Sequence, residues 1–159
     1  MNNSALDPNI GKKVISASFG EGVIAEITEM SGEPFYIVLN QSNNMKHYVP
    51  INDSNAYRYI SSEEKFLITI DKYLINGEYN LEFDSKKDRI NYYKDESKIQ
   101  TLSSICQNIK TLHQTEDRGS LEEQIYQRLI ENLALEYGLI KQANQEQAFE
   151  FIQTIIQKI

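Results

Sequence analysis

What most constrains this chain is a change of grammar near residue 60. All three prolines and four of the seven glycines fall in the first 50 residues. Such dense punctuation breaks a chain into short strands and tight turns. "KKVISASF" alternates imperfectly, and Gly20 and Gly22 in "FGEGVIAEI" read as a turn entering a second strand. "EMSGEP" turns the chain into "FYIVLN", and "QSNN" turns it again into "MKHYVP". Four short strands with tight turns predict a small curled β-barrel rather than an open sheet.

From residue 61 the apolar period becomes helical. Ser61 followed by Glu64 has the spacing of a capping box. Phe66, Leu67, Ile70, Tyr73 and Leu74 then share one helical face. "INGEYNLEFDSKKD" interrupts the pattern as a loop or small hairpin. Ile99, Leu102, Ile105, Cys106, Ile109 and Leu112 form a second stripe. Ser120 with Glu123 opens a third helix running to about Tyr137, with Gly138 as its expected left-handed stop. Asn144 with Gln147 caps a last helix bearing Phe149, Ile152, Ile155 and Ile156. The expectation is an α+β chain in the order β then α: a barrel over residues 1–60, then about four helices over residues 61–159.

An apolar content of 40% supports a folded core. No run of about 18 apolar residues predicts a membrane span. "MNNSALDPNIGKK" lacks the apolar core of a signal peptide, and the single Cys106 fits a reducing compartment, so a cytoplasmic location is expected.

Reactive groups are few. His47 and His113 are far apart, Cys106 lies on an apolar stripe, and no His/Cys cluster has zinc spacing. "FGEGVIAE" has the outline of a phosphate loop but lacks the third glycine and the following helix. The acid pairs Glu63/Glu64 and Glu122/Glu123 stand in first helical turns, where they complement the dipole. An aromatic cage from Phe19, Phe35, Tyr36 and Tyr48 is a weaker alternative to simple core packing. No enzyme, metal, cofactor or small-molecule substrate is expected.

One stretch stands apart. The chain carries a formal charge of −7, yet Lys86, Lys87, Arg89, Lys94 and Lys98 cluster around Tyr92 and Tyr93. Against Asp88, Asp95 and Glu96 the local excess is two positive charges. It is either a solvated helix shoulder or a contact for phosphates, too weak to bind nucleic acid firmly by itself.

The ordered set of segments resembles the CarD/CdnL family of bacterial transcription regulators. "IGKKVISASFGEGVIAEITEMSGEPFYIVL" is similar to that family's opening strands, and Val49–Pro50 after "MKHY" to the end of its fourth strand. "NYYKDES" resembles its Arg/Tyr-Lys helix start, "LSSICQNIKTLH" its middle helix, and "SLEEQIYQRLIENLALEYGL" its signature helix. The likeness spans about residues 10–156. It implies a Tudor-like or SH3-like barrel that docks on the β subunit of bacterial RNA polymerase, through Glu29, Met30, Tyr36, Lys46, Tyr48, Val49 and Pro50. It also implies a helical domain touching promoter DNA at the upstream edge of the melted bubble, through Lys86, Lys87, Arg89, Tyr92, Tyr93, Lys94 and Lys98. Such a protein would associate with the nucleoid through the polymerase.

Two departures bear on this. The chain has no tryptophan, and the family's wedge position falls near Arg89. Tyr48 stands where the family often has arginine in the polymerase contact. A promoter-contacting regulator and a protein–protein adaptor docked on the polymerase without DNA contact both remain open.

Overall fold

The computed structural model describes residues 7–159. Residues 1–6, which open the stretch read as lacking a signal core, lie outside the described residues. Among the described residues the architecture is α+β, with an antiparallel five-stranded sheet followed by five α-helices. The chain divides between Ile60 and Ser61 into two compact units.

In the first unit the strands are β1 (Lys13–Ser16), β2 (Gly20–Met30), β3 (Glu33–Leu39), β4 (Lys46–Pro50) and β5 (Arg58–Tyr59). Their order across the sheet is β4-β3-β2-β1-β5. The β2–β3 turn is Ser31–Gly32, with φ of 53° and 80°. Positive φ at both positions suits a two-residue hairpin turn, because its twist matches that of the strands. A register shift between Ile24 and Glu26 bends β2 as it crosses from β1 to β3. One face buries Val14, Ile24, Tyr36, Val38 and Val49.

The expected closure does not occur. Pairing ends at β4 on one side and β5 on the other, and no β4–β5 ladder joins them among the described residues. The reason is local: β5 is only two residues long and already pairs with β1, at Val14↔Tyr59 and Ile15↔Arg58. The fifth strand itself was not expected, because "RY" is too short to show alternation.

The second unit starts with α1 (Glu63–Thr69), which continues directly into a π-helical turn, Ile70–Ile75. There follow α2 (Lys86–Glu96), α3 (Leu102–His113), α4 (Ser120–Lys141) and α5 (Gln145–Ile156). Phe66, Ile70, Leu74, Ile105, Ile109, Leu112, Leu133 and Ile152 form the centre of one core. Lys110 is also buried; its Nζ donates to the Ile75 carbonyl at 2.8 Å, at the end of the π turn. A cation suits those terminal carbonyls.

Several helix boundaries differ from expectation. The cap of α1 is Ser62, whose hydroxyl accepts from Lys65 N; Ser61 instead donates its N–H and hydroxyl to the buried Glu136 carboxylate, at 3.0 and 2.5 Å. Gly119, not Ser120, caps α4, with Glu122 accepting the Gly119 N–H at 3.2 Å. Gly138 does not stop α4. The left-handed residue is Gln142, at φ 52°, and Gly138 lies inside the helix. A β-carbon there would press on Ala148 Cβ at 3.3 Å, so the glycine lets α5 approach α4 closely. The Asn144–Gln147 box forms as read. The additional helix is α2, in the segment between the first two apolar stripes.

Candidate functional site

The basic stretch forms α2. Its cap is Ser85, which accepts from Asp88 N at 3.1 Å. Helical geometry then sorts the cations by face. Arg89 and Tyr93, four residues apart, turn inward. Tyr93 is 1% exposed, and the Arg89 side chain is 14% exposed. Lys87 and Lys94 turn outward.

Arg89 makes four side-chain hydrogen bonds. Its Nε and Nη2 donate to the two Glu122 carboxylate oxygens, at 2.6 and 2.9 Å. Its Nη1 donates to Asp117 Oδ1 at 2.9 Å, and Nη2 also reaches the Asp117 carbonyl at 3.3 Å. Glu122 is itself 1% exposed. This is a bidentate, charge-assisted pair in a nearly dry setting. Hydrogen bonding to Arg89, followed by the Gly119 N–H, holds the Glu122 carboxyl below the usual glutamate range against the opposing effect of burial. The same bonds raise the Arg89 pKa further. Lys86 and Arg89 likewise hold the exposed Asp117 carboxyl low.

Lys86 Nζ stands 3.1 Å from Asp117 Oδ2, and Lys98 Nζ is 3.9 Å from Asp95. Tyr92 is half-buried against Phe83 and Tyr93, with ring centroids 5.3 and 5.1 Å away. Burial, then the nearby Glu96, pushes its hydroxyl up to about 12. Folding thus adds Asp117 and Glu122 to the three acids already in the stretch, which cancels its local charge. Lys87 and Lys94 are the members with no ion pair among the described residues.

Arg118 is a further cation whose position sequence reasoning did not assign. It donates to the Leu112 and Thr115 carbonyls at 2.7 and 3.0 Å, closing the C-terminal end of α3. It also pairs with Glu123 and lies over the Tyr126 ring. Tyr126 in turn bonds His113 Nδ1 at 2.8 Å. Glu122 was visible only as a first-turn acid; no local pattern links it to Arg89, 33 residues away.

The residues expected to meet a protein partner also divide. Tyr36 and Val49 lie in the sheet's core. The Tyr36 hydroxyl accepts from Asn9 Nδ2 at 2.9 Å and donates to Asp7 at 3.5 Å. Glu29, Met30, Lys46 and Tyr48 are exposed, and Pro50 is half-buried. The four aromatic residues considered for a cage split between the two faces. Phe19 stacks on His47 at 4.8 Å on the core side, while Phe35 precedes Tyr36 on the strand and so faces away from it.

Among the described residues strand β4 is a sheet edge, and its free side can be read from the register. Asn40 N donates to Met45 O, and Ile51 N to Pro34 O, at the two ends of the β3–β4 ladder. Antiparallel bonding alternates, so His47 and Val49 bond β3 while Lys46 and Tyr48 direct their N–H and C=O groups outward. Tyr48, 52% exposed, thus combines an open backbone edge with a free aromatic ring.

A cavity of about 650 Å³ opens within the second unit, between the loop before α2, the start of α2 and the end of α3. Tyr79, Leu81 and Phe83 form an apolar wall, and the charged residues of the lining are Lys86, Arg89, Glu116 and Asp117. Among the described residues no cluster of His, Cys, Asp or Glu could hold a metal, and Cys106 is buried. No helix of the described residues is long and apolar enough to cross a membrane. Comparison with protein-family models and with curated proteins finds no match for this chain.

Proposed function

We propose that this protein is a transcription regulator of the CarD/CdnL type that docks on the β subunit of bacterial RNA polymerase. In this reading the first unit is a Tudor-like or SH3-like module with an incompletely closed sheet. The supporting observation is the open β4 edge, with outward amide groups at Lys46 and Tyr48 beside an exposed ring. An edge of this kind recognises an extended partner segment by adding it as a further strand, and tyrosine is a favoured anchor at interfaces. The ordered likeness over residues 10–156 supplies the identity of that partner.

The helical unit has two readings. In one it touches promoter DNA at the upstream edge of the bubble, with Lys87 and Lys94 on phosphates and Tyr92 beside them. Stabilising the open promoter then follows from differential affinity alone: about 1.4 kcal/mol of preference shifts the balance tenfold. In the other it is a protein-binding adaptor without DNA contact. The engagement of Arg89 by Glu122 and Asp117 favours the adaptor reading, since the residue at the wedge position is held within the unit.

The first test is calorimetric titration of the full chain into purified polymerase or its β-subunit lobe. Tyr48→Ala removes the ring, and Tyr48→Pro removes an N–H that β3 does not use. Both should weaken binding severely while leaving the fold intact. Wild-type affinity in Tyr48→Pro rules out strand addition at β4, and absence of binding by the native chain ends the polymerase reading. Charge reversal at Lys87 and Lys94 separates the two roles of the helical unit. A promoter-contacting regulator loses its effect on transcription but keeps polymerase binding; an adaptor keeps both.

A further inference from the structure

The cavity beside α2 has a composition that neither reading of the helical unit uses. We propose that it is a binding site for a nucleotide unit, an aromatic base with its 5′-phosphate, and that Asp117 occupies the phosphate position when the site is free. A volume of about 650 Å³ lies within the roughly 300–1,000 Å³ range of small-ligand sites. Tyr79, Leu81 and Phe83 supply the apolar wall that a planar base packs against. Gln114, also in the lining, carries a side-chain amide with the paired donor and acceptor groups that a base edge requires, whereas the Thr115 hydroxyl already donates to the Thr111 carbonyl.

The charged residues show where an anion belongs. Asp117 bridges two cations from its exposed loop, with Oδ1 at 2.9 Å from Arg89 Nη1 and Oδ2 at 3.1 Å from Lys86 Nζ. A carboxylate spanning a guanidinium and an ammonium in this way occupies the place of two phosphate oxygens. It is weakly held, because its side chain is 54% exposed and solvent screens the attraction. A phosphate carries close to two negative charges and three acceptor oxygens, so it competes for the same donors. Arg89 would keep its inner pair: Glu122 takes Nε and Nη2, leaving Nη1 for exchange. The site lies wholly within the second unit and does not depend on polymerase docking.

Adenosine 5′-monophosphate, a short single strand of DNA and the duplex of the same sequence would each be titrated into the isotope-labelled full chain, with amide chemical shifts as readout. Saturable shifts confined to residues 79–93 and 111–117 are expected with the mononucleotide. Asp117→Asn should tighten binding about threefold to fivefold, the scale of one exposed ion pair, and Lys86→Gln should weaken it similarly. Both are exposed positions, so the fold should tolerate the changes. Tighter binding of the single strand than of the mononucleotide assigns the natural ligand to an unpaired base in a strand; equal binding assigns it to a free nucleotide. No shifts at the lining, shifts with duplex alone, or an unchanged affinity in Asp117→Asn overturns the proposal.

Discussion

Strand β4 and helix α2 invite direct comparison. Each is short and polar, and each carries tyrosine in a stretch that the sequence marks as a contact. In β4 the two-residue period alternates the chain, so Tyr48 faces out while Val49 enters the core. In α2 the 3.6-residue period places Arg89 and Tyr93 together on the inner face and leaves Lys87 and Lys94 outside. Proximity in sequence groups Arg89 with the lysines, whereas helical geometry groups it with Glu122 and Asp117. A cluster of charge is therefore evidence of a surface only after each side chain has been assigned to a face.

The largest expected contrast is at Arg89. Arg89→Ala strands the buried Glu122 carboxylate and should cost the helical unit about 3 kcal/mol. Hydrogen exchange can follow that unit's amides separately from those of the sheet. Replacing the pair together, as Arg89→Met with Glu122→Leu, should recover most of the loss. Near-native stability in the single variant shows that the pair does not hold α2 in place. Next comes Gly22→Ala in β2. An added β-carbon would collide with Val38 Cγ1, and overpacking of this kind costs about 1–3 kcal/mol, here confined to the sheet amides.

Smaller again is Tyr93→Phe. The buried Tyr93 hydroxyl lies beside the Thr111 and Thr115 hydroxyls, and its removal should cost about 1 kcal/mol in denaturant unfolding. Tyr48→Ala lies at the bottom of the scale, within about 0.5 kcal/mol of native stability, although it should have the largest effect on partner binding. A strongly destabilised Tyr48→Ala protein would mean that the β4 ring is structural, and the contrast with α2 would disappear.

The pH dependence sharpens the same comparison. The Glu122 pKa is depressed in the folded state, so its contribution is complete above its unfolded value and is lost as pH falls through the folded one. Acid should thus loosen α2 from α4, and Glu122→Gln should flatten that limb of a stability–pH curve. Tyr92 has the opposite sense. Its raised value means that its contribution is complete below pH 10 and lost as pH rises towards about 12. Tyr92→Phe should remove this alkaline loss; an unchanged alkaline limb would place its origin elsewhere.

The order of elements was legible because periodicity is local. The cap at Asn144 and the buried members of the first stripe, Phe66, Ile70 and Leu74, need no information beyond a few neighbouring residues and appear where expected, whereas Leu67, read onto the same face, is exposed. Helix α2 was not legible as an amphipathic pattern, because its inward face is built from arginine and tyrosine rather than aliphatic residues. Ser61 and Ser62 are equivalent as caps by type. The choice between them falls to Glu136, 75 residues away. Gly138 has the composition of a helix stop, yet its role is set by Ala148 on another helix. Barrel closure failed for the same reason, since it depends on the pairing of residues beyond β4 rather than on β4 itself. Of the candidate site, exposure at Tyr48 was within reach of simple alternation, whereas the Arg89–Glu122 pairing was not.

The bare edge of β4 also bears on how the protein behaves at high concentration. Two copies meeting antiparallel about Tyr48 would set each Lys46 opposite the other's Pro50. Proline has no N–H, so each Lys46 carbonyl would find no donor and the shared ladder would lose one hydrogen bond at each end. A foreign strand without proline at that register loses only the one bond that this chain's own Pro50 cannot donate. The proline that closes β4 therefore weakens the pairing of two copies, which lack a donor at both ends, more than pairing with a strand that has no proline there.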